Sequence, residues 1–269
     1  MVEARGVIAR PMEHRRTIQG YPMPVAYRVP AVHQMPVAKP VLVANSLLAA
    51  LPRADYQLLL SRLEPITLTF GEVLYHHGEP IQHVYFPTDS LVSLLALAEG
   101  HQALEVGLVG REGMLGIPLA LGVCNSPMRA LVQGSGAALR MTTAHFRKEF
   151  RHNAPLQREV LRYTYELMVQ MTQTAACNRF HRVEARLARW LLMTRDRVQS
   201  NQFHLTQDLL GNMLGVRRVG VTKAASALRL RHLINYNRGE ISILDGPGLE
   251  ATACQCYQIV KDMHDVARA

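Results

Sequence analysis

LTQDLLGNMLGVRRVGVTKAASALRLRHLINYNRGEISILD, residues Leu205 to Asp245, is the segment of this 269-residue chain whose pattern most clearly indicates a fold. Its apolar residues recur at helical spacing on both sides of Gly215, and glycine tolerates the left-handed conformation that ends a helix. Thr206 can cap the first helix because its hydroxyl can accept a backbone N–H of the first turn. A second helix is expected to begin near Arg217, and two short strands joined at Asn237 to Gly239 follow it. This order of helix, glycine turn, helix and hairpin predicts a winged helix-turn-helix.

The outer face of the second predicted helix is basic, as a helix that enters the major groove of double-stranded DNA requires. From Arg179 to Glu240 the chain carries twelve Lys and Arg against four Asp and Glu, a net charge of +8 out of +9 for the whole chain. Residues 45 to 150 instead carry seven Lys and Arg against nine Asp and Glu. This asymmetry favours phosphate contact by the C-terminal region alone, although a solvated basic face remains an alternative. The candidate DNA-binding residues are Thr206, Arg217, Arg218, Gly220, Lys223 and Arg238.

The remaining composition limits the class of protein. The length allows two domains with their own cores. No apolar run has the length of a membrane span, and no N-terminal apolar block resembles a signal peptide. Four cysteines do not indicate a disulfide framework. We therefore expect a cytoplasmic protein with reduced thiols and no membrane partner.

Residues 1–44 differ from the rest of the chain because six prolines interrupt any regular element. Cations also outnumber acids there, which predicts a basic, disordered extension that adds nonspecific DNA affinity. The alternative is that translation starts later, with Met23 or Met35 nearer the true start.

Residues 45–150 show the pattern of many short strands separated by glycine turns, which predicts an antiparallel β-roll. A helix from Asn45 to Leu63 is expected to lead into it. The predicted strands centre on Ile66 to Phe70, Val73 to Tyr75, Val84 to Phe86, Leu91 to Leu97, Ala103 to Val109, Ala130 to Val132, and Ala137 to Met141.

Residues 151–180 are predicted to form one long helix with a nearly heptad apolar stripe, which suits a two-stranded coiled coil. The alternative is a helix that packs on its own domain. Because readers of DNA operators are commonly two-fold symmetric, a homodimer is favoured. The stripe that would form the dimer seam consists of Leu156, Val160, Tyr163, Leu167, Met171 and Thr174. A further amphipathic helix, from Val183 to Val198, would support the helix-turn-helix from behind.

This order of elements resembles the Crp/Fnr family of bacterial transcription regulators over about residues 45–250. The motifs that carry the resemblance are GEVLYHHGEP, VGREGMLGIP and LTQDLLGNMLGVRRVGVTKAASAL. The resemblance implies a roll similar to a cyclic-nucleotide-binding domain, a homodimer and DNA contact by the second helix, with RNA polymerase as a further candidate partner. It also implies that Thr206 contacts phosphate, that Arg218 reads a guanine and that Lys223 contacts a base or phosphate. Many members carry glutamate where this chain has Val219, so a different target sequence is expected.

The sensor motifs depart from those of the family's cyclic-nucleotide binders, which use Gly-Glu and then Arg-Ser on the phosphate. Here Ile117 follows Gly116, and no serine follows Arg129. These three residues predict a degenerate effector pocket, and cyclic AMP is not expected as a ligand. No cysteine precedes Cys124, so the iron–sulfur cluster of the family's oxygen sensors is not expected.

The other cysteines and histidines predict no metal site. Cys254 and Cys256 are a close pair that could bind metal or report redox state, but they have no further partner in sequence. Cys124 and Cys177 are interpreted as buried apolar fillers. His76 and His77 lie in a predicted turn and could ligate haem or a metal, although exposed or hydrogen-bonded histidines are the commoner outcome. His101, His145, His152 and His181 are scattered singly.

The sequence thus predicts an α+β protein that regulates transcription as a homodimer on a two-fold operator. Its predicted parts are the extension 1–44, the cyclic-nucleotide-binding-like antiparallel β-roll 45–150, the dimerisation helix 151–180, the winged helix-turn-helix 181–250 and the tail 251–269. No phosphate-loop, GxSxG or HExxH motif indicates an enzyme. Two alternatives remain: a cyclic-nucleotide-regulated signalling adaptor without specific DNA binding, and a nucleic-acid enzyme that uses the helix-turn-helix for targeting.

Overall fold

The first described segment forms two short helices, α1 (Ser46–Ala49) and α2 (Arg53–Leu60), where the sequence predicted one. The structure, a computed structural model, describes residues 45–97, 103–237 and 239–266; the predicted extension 1–44 therefore lies outside the described residues. Pro52 stands between the two helices. Proline restricts the residue before it to extended conformations, which ends α1 and starts α2 afresh. The single-helix prediction was wrong for this reason.

Seven antiparallel strands form the roll, as the sequence predicted. They are β1 (Glu64–Leu68), β2 (Val73–Tyr75), β3 (His83–Pro87), β4 (Leu91–Leu97), β5 (Ala103–Val109), β6 (Arg129–Gly134) and β7 (Gly136–Thr142). One sheet has the order β1-β7-β3 and the other has the order β2-β6-β4-β5. The short helix α3 (Ile117–Ala120) precedes β6, and α4 (Thr143–His152) follows β7. Apolar residues from both sheets and from the helices around them form one core.

The long helix α5 (Ala154–Phe180) begins at Asn153, whose Oδ1 accepts the backbone N–H of Leu156 at 2.8 Å. The apolar stripe predicted to be the dimer seam belongs to the core of the chain itself, together with the roll. Its members Leu156, Val160, Tyr163, Leu167 and Thr174 are buried, and Met171 packs against the same core. The assignment of this stripe to a dimer seam was therefore wrong, because a face that is buried within the chain is not free to meet a second copy.

The C-terminal half contains the predicted winged helix-turn-helix. Its elements are α6 (Val183–Val198), β8 (Gln202–His204), α7 (Gln207–Leu214), α8 (Arg218–Leu230), β9 (Ile234–Asn237) and β10 (Glu240–Ile243). The wing is a three-stranded sheet of order β8-β10-β9, and β8 was not predicted. Helix α6 is buried on all sides over residues 186–194, so the prediction of a single buried face was wrong; its Leu187, Trp190 and Leu191 lie in the second core of the chain.

Two more helices follow the wing, α9 (Gly246–Thr252) and α10 (Cys256–Val266), and only α10 lies wholly within the predicted tail 251–269. Asp245 caps α9, since its Oδ1 accepts the backbone N–H of Gly248 at 2.9 Å. Helix α10 packs against α5 and α6. Among the described helices, none combines the length and apolar character that crossing a bilayer demands.

Candidate nucleic-acid interface

The turn between α7 and α8 is built by three local features. Oγ1 of Thr206 accepts the backbone N–H of Leu209 at 3.2 Å, which caps α7 as predicted. Gly215 ends α7 with φ +60°, a left-handed conformation in which glycine avoids the strain of a side chain. A Cβ at Gly211 would lie 3.0 Å from the carbonyl oxygen of Val216, so the missing side chain lets the turn fold close against α7. These features set the angle at which α8 leaves the turn.

Helix α8 has two faces of opposite character. The inner face consists of Val221, Ala224, Ala225 and Leu228, which are buried in the second core. Small alanine side chains let α8 approach α6, its main helical neighbour, closely. The outer face is exposed and basic, and it contains Arg217, Arg218, Val219, Thr222, Lys223 and Ser226.

Arg218 is the most central cation of this outer face. Its side chain is 68 % exposed, and its Nε lies 3.4 Å from Oε1 of Gln207 and 3.8 Å from Oδ1 of Asp208. Exposed ion pairs of this kind contribute little, so the guanidinium can turn toward a ligand at small cost. Oγ1 of Thr222 donates to the same Gln207 oxygen at 2.8 Å. Sequence reasoning missed Gln207 and Thr222, although Thr222 lies one helical turn beyond Arg218.

The other predicted contact residues have three different outcomes. Arg217 and Lys223 lie exposed beside Arg218, as expected. Gly220 is half-buried at the start of α8, and a Cβ there would lie 3.8 Å from Cβ of Val216, so this position faces the turn. Arg238 lies outside the described residues.

Hydrogen bonds join the wing to Leu205, in the segment that precedes α7. The backbone N–H of Leu205 donates to the carbonyl oxygen of Gly239 at 2.6 Å, and the hydroxyl of Tyr236 donates to the carbonyl of Leu205 at 3.1 Å. Nδ1 of His204 lies 2.7 Å from Oε1 of Glu240 across β8 and β10. These hydrogen bonds hold the described residues of the wing against the start of α7.

The helix-turn-helix packs against the roll through a shared apolar core and buried polar contacts. Leu91, Leu95 and Leu108 of the roll lie in the same apolar cluster as α6, α7 and α8. Nε1 of Trp190 donates to Oε1 of Glu105 at 2.7 Å. Burial raises the pKa of the Glu105 carboxyl to about 7, and the hydrogen bonds that it accepts oppose this only in part.

The three residues of the predicted effector pocket have separate surroundings. Gly116 has φ +105° and caps α3, and a Cβ there would lie 2.7 Å from Cγ1 of Val84. Ile117 is only 7 % exposed and lies in the core of the roll. Arg129 begins β6 opposite Leu95, and its Nε is buried without a hydrogen-bond partner among the described residues.

The cysteines differ from their predicted roles. Cys124 is exposed, so its interpretation as a buried filler was wrong. Cys177 is buried as expected, but it lies beside Cys254, Cys256 and His181. The prediction that His181 is an isolated histidine was also wrong. Only the fold brings these four side chains together, since the two pairs lie more than 70 residues apart in sequence.

Comparison with known proteins identifies the C-terminal part of this arrangement. The family model of the Crp-like helix-turn-helix domain matches residues 185–252. No curated protein sequence matches the chain.

Solved structures with a similar fold include three proteins of 14 to 22 % identity. FixK2 from Bradyrhizobium japonicum is 14 % identical with a TM-score of 0.62, covering 71 % of this chain and 98 % of that one. TTHA1359, a CRP/FNR-family transcriptional regulator from Thermus thermophilus, is 22 % identical with a TM-score of 0.59, at 71 % and 98 % coverage. CLP, a c-di-GMP responsive global regulator from Xanthomonas campestris, is 14 % identical with a TM-score of 0.60, at 71 % and 99 % coverage.

The matched domain contains α7, the glycine turn and α8, the elements that carry the exposed basic face. The similar structures are covered almost over their whole length, so the roll, the long helix and the helix-turn-helix occur together in them as they do here. The chain therefore contains a Crp-like helix-turn-helix domain over residues 185–252 and shares the overall fold of these solved structures.

Proposed function

We propose that this protein is a Crp/Fnr-type transcription regulator that binds a two-fold DNA site as a homodimer, with α8 of each copy in the major groove of one half-site. The observation that carries the proposal is the outer face of α8, where Arg217, Arg218 and Lys223 are exposed together while the opposite face is buried. A helix with one face in the core and a cationic face in solvent has the form that groove binding needs.

Within that groove, each exposed residue has a proposed role. Arg218 donates its two parallel N–H groups to O6 and N7 of a guanine, and Arg217 and Lys223 contact phosphates or a second base. Val219, which is 59 % exposed, offers a methyl surface that suits the methyl group of thymine. Thr206, at the N-terminus of α7, contacts a backbone phosphate, and Arg238 in the wing is proposed to do the same.

The homodimer is proposed to form through a different stripe of α5 from the one predicted. The exposed stripe has strict heptad spacing and runs Arg158, Leu161, Tyr165, Met168, Thr172, Ala175, Arg179. Leu161, Tyr165 and Met168 are 50 %, 53 % and 60 % exposed, an unusual concentration of apolar surface on one helix. Two such helices can bury the stripe against each other as a coiled coil.

The roll is proposed to work without a cyclic nucleotide at the family's usual position. Ile117 and Leu119, buried in the core of the roll, support this, because they are apolar where a nucleotide needs polar partners. The similar Xanthomonas regulator is described as c-di-GMP responsive, so calorimetric titrations should include cyclic AMP, cyclic GMP and c-di-GMP. Heat of binding with cyclic AMP or cyclic GMP would contradict the proposal.

Selection from a random pool of DNA duplexes tests the DNA-binding proposal directly. The expected result is an enriched two-fold sequence with half-sites centred about 34 Å, one helical turn, apart. An adaptor without specific DNA binding would enrich no sequence. Nicking of the selected duplex in the presence of magnesium would instead indicate the enzyme alternative. Transcription from the selected site with and without the protein then tests RNA polymerase as a partner. We also propose that the protein acts in the cytoplasm, because a bacterial transcription regulator must reach the DNA there.

A further inference from the structure

Four potential metal ligands converge where the long helix α5 ends. Cys177 lies in the last turn of α5, and His181 is the residue that caps it. Cys254 lies between α9 and α10, and Cys256 is the first residue of α10. The ligand atoms of these four side chains all lie within 4.8 Å of one another.

The separations suit one tetrahedral ion. Sγ of Cys177 lies 3.3 Å from Sγ of Cys254, and Sγ of Cys256 lies 3.5 Å from Nδ1 of His181. With zinc–sulfur bonds of about 2.3 Å, two sulfurs on a tetrahedron are about 3.8 Å apart, so small adjustments complete the site. A disulfide would need its sulfurs at about 2.05 Å, much closer than Cys177 and Cys254 lie here. A cluster of two iron atoms would hold its two pairs of ligands further apart than a single ion does, so the close spacing of these four ligands favours a single ion.

The sequence supplies the four ligands as two pairs, each close together in sequence. Cys177 and His181 are four residues apart at a helix end, a spacing that places both on one face. Cys254 and Cys256 flank a single residue of a loop. Cys177 and Cys256 are buried, which keeps water from the site, and three cysteines with one histidine form a common structural zinc set.

Buried cations beside the cluster provide an independent observation. Arg189 is only 6 % exposed; its Nη2 donates to Oγ1 of Thr174 at 2.9 Å. Its Nη1 is buried and has no hydrogen-bond partner in the described part of the chain. Arg186 is also buried, and its Nη2 donates to Oδ1 of Asn178 at 2.6 Å. A buried cation needs a negative neighbour; Glu105 is one for Arg189, and three thiolates around one divalent ion would add a net charge of −1 beside both arginines.

We propose that Cys177, His181, Cys254 and Cys256 bind one zinc ion, which fastens the C-terminal helix α10 to the end of α5. His181 and Arg182 are the only residues between α5 and α6, so the ion lies at the joint between the long helix and the helix-turn-helix. It therefore holds the DNA-binding domain in a fixed orientation on α5. This consequence rests on the function proposed above, whereas binding of zinc does not.

The test uses the full chain purified under reducing conditions without chelator. Elemental analysis should find one zinc ion per chain, and replacement by cobalt should give the intense visible absorption of tetrahedral thiolate coordination. Cys254→Ser and Cys256→Ser should each lose most of the bound metal. Cys124→Ser is the matched control, because Cys124 is exposed and lies outside the cluster, and it should retain the full zinc content.

A second measurement does not depend on the folding of the variants. A strong chelator should release the zinc of the wild-type chain and lower its melting temperature, and added zinc should restore it. The proposal is overturned if the wild-type chain binds no stoichiometric metal when supplied with zinc, if Cys124→Ser loses as much metal as Cys254→Ser, or if Cys177 and Cys254 form a disulfide under reducing conditions. Because these assays contain no DNA, a failure of the zinc site leaves the proposed DNA binding untouched. A failure to bind DNA likewise leaves the zinc result standing.

Discussion

The indole Nε1 of Trp190 donates a 2.7 Å hydrogen bond to Oε1 of Glu105 and so joins α6 to strand β5 of the roll. The other carboxyl oxygen of Glu105 accepts a hydrogen bond of 2.6 Å from Oγ of Ser93. All three residues are buried. A titratable group thus lies at the contact between the roll and the helix-turn-helix, with a pKa raised to about 7 by burial.

Replacing Glu105 with glutamine should flatten the pH dependence of stability. The folded chain holds the proton of Glu105 more tightly than the unfolded chain, where the pKa is near 4.5. The free energy of unfolding should therefore fall as pH rises from about 4.5 to about 7, by about 3 kcal/mol for this group, and level off above. Glu105→Gln should remove that decline in urea unfolding measured from pH 5 to 8.

Glu79→Gln is the matched control for this experiment, because Glu79 is an exposed acid of the roll. Its unfolding should follow the wild-type pH profile. If Glu105→Gln keeps the wild-type decline, the raised pKa of Glu105 is not the cause of it.

Removing the guanidinium of Arg218 should weaken specific DNA binding more than nonspecific binding. A bidentate contact to guanine gives about 1–3 kcal/mol of discrimination between bases. Arg218→Ala should therefore lose about that much affinity for the selected site and accept other bases at one position of each half-site. Arg53→Ala, an exposed arginine on α2, should leave binding unchanged. An equal loss on selected and random DNA would mean that Arg218 contacts phosphate rather than a base.

Charges on the exposed stripe of α5 should dissociate the dimer. Leu161→Glu together with Met168→Glu would place four carboxylates in the proposed seam of two copies, and sedimentation velocity should then find monomers. Leu121→Glu places a charge on an exposed leucine of the roll and should leave the dimer intact. A dimer that survives the double substitution would rule out this stripe as the seam.

Replacing Gly215 with alanine should lower the free energy of unfolding by more than the strain of its left-handed backbone conformation alone. Gly215 has φ +60°, and a Cβ there would lie 2.6 Å from Cδ1 of Leu104 in β5. Gly71 has φ +83° with nothing within 4 Å of the added carbon. Gly71→Ala should therefore cost only the left-handed strain of about 1–2 kcal/mol, and Gly215→Ala should cost more in urea unfolding. Equal losses of unfolding free energy in the two variants would show that a side chain at residue 215 does not clash with Leu104.

The elements that the sequence predicted are those with strong local signals. The seven strands show alternation between glycine turns, and α7 and α8 have a capping threonine and a glycine stop. The three-residue strand β8 has no such signal, because it exists only through its pairing with β10. Pro52 was visible in the sequence, but an apolar pattern on both sides of it hid the break between α1 and α2.

The features that the sequence did not predict depend on contacts between distant segments. Helix α5 carries two heptad stripes, and only burial against the roll shows that the one containing Val160 is core and the one containing Leu161 is exposed. Cys177 and Cys254 are 77 residues apart, so their proximity follows from the packing of α10 on α5. Sequence spacing alone gave no reason to group them with His181.

DNA reading by α8 is tested most directly by the affinity of the purified chain for its selected duplex and for random duplex across a salt series. We expect a preference of at least about 1,000-fold for the selected site, with affinity that falls steeply as salt rises because phosphate contacts release counterions. Equal, weak and salt-insensitive binding to both duplexes would contradict the claim that α8 reads DNA.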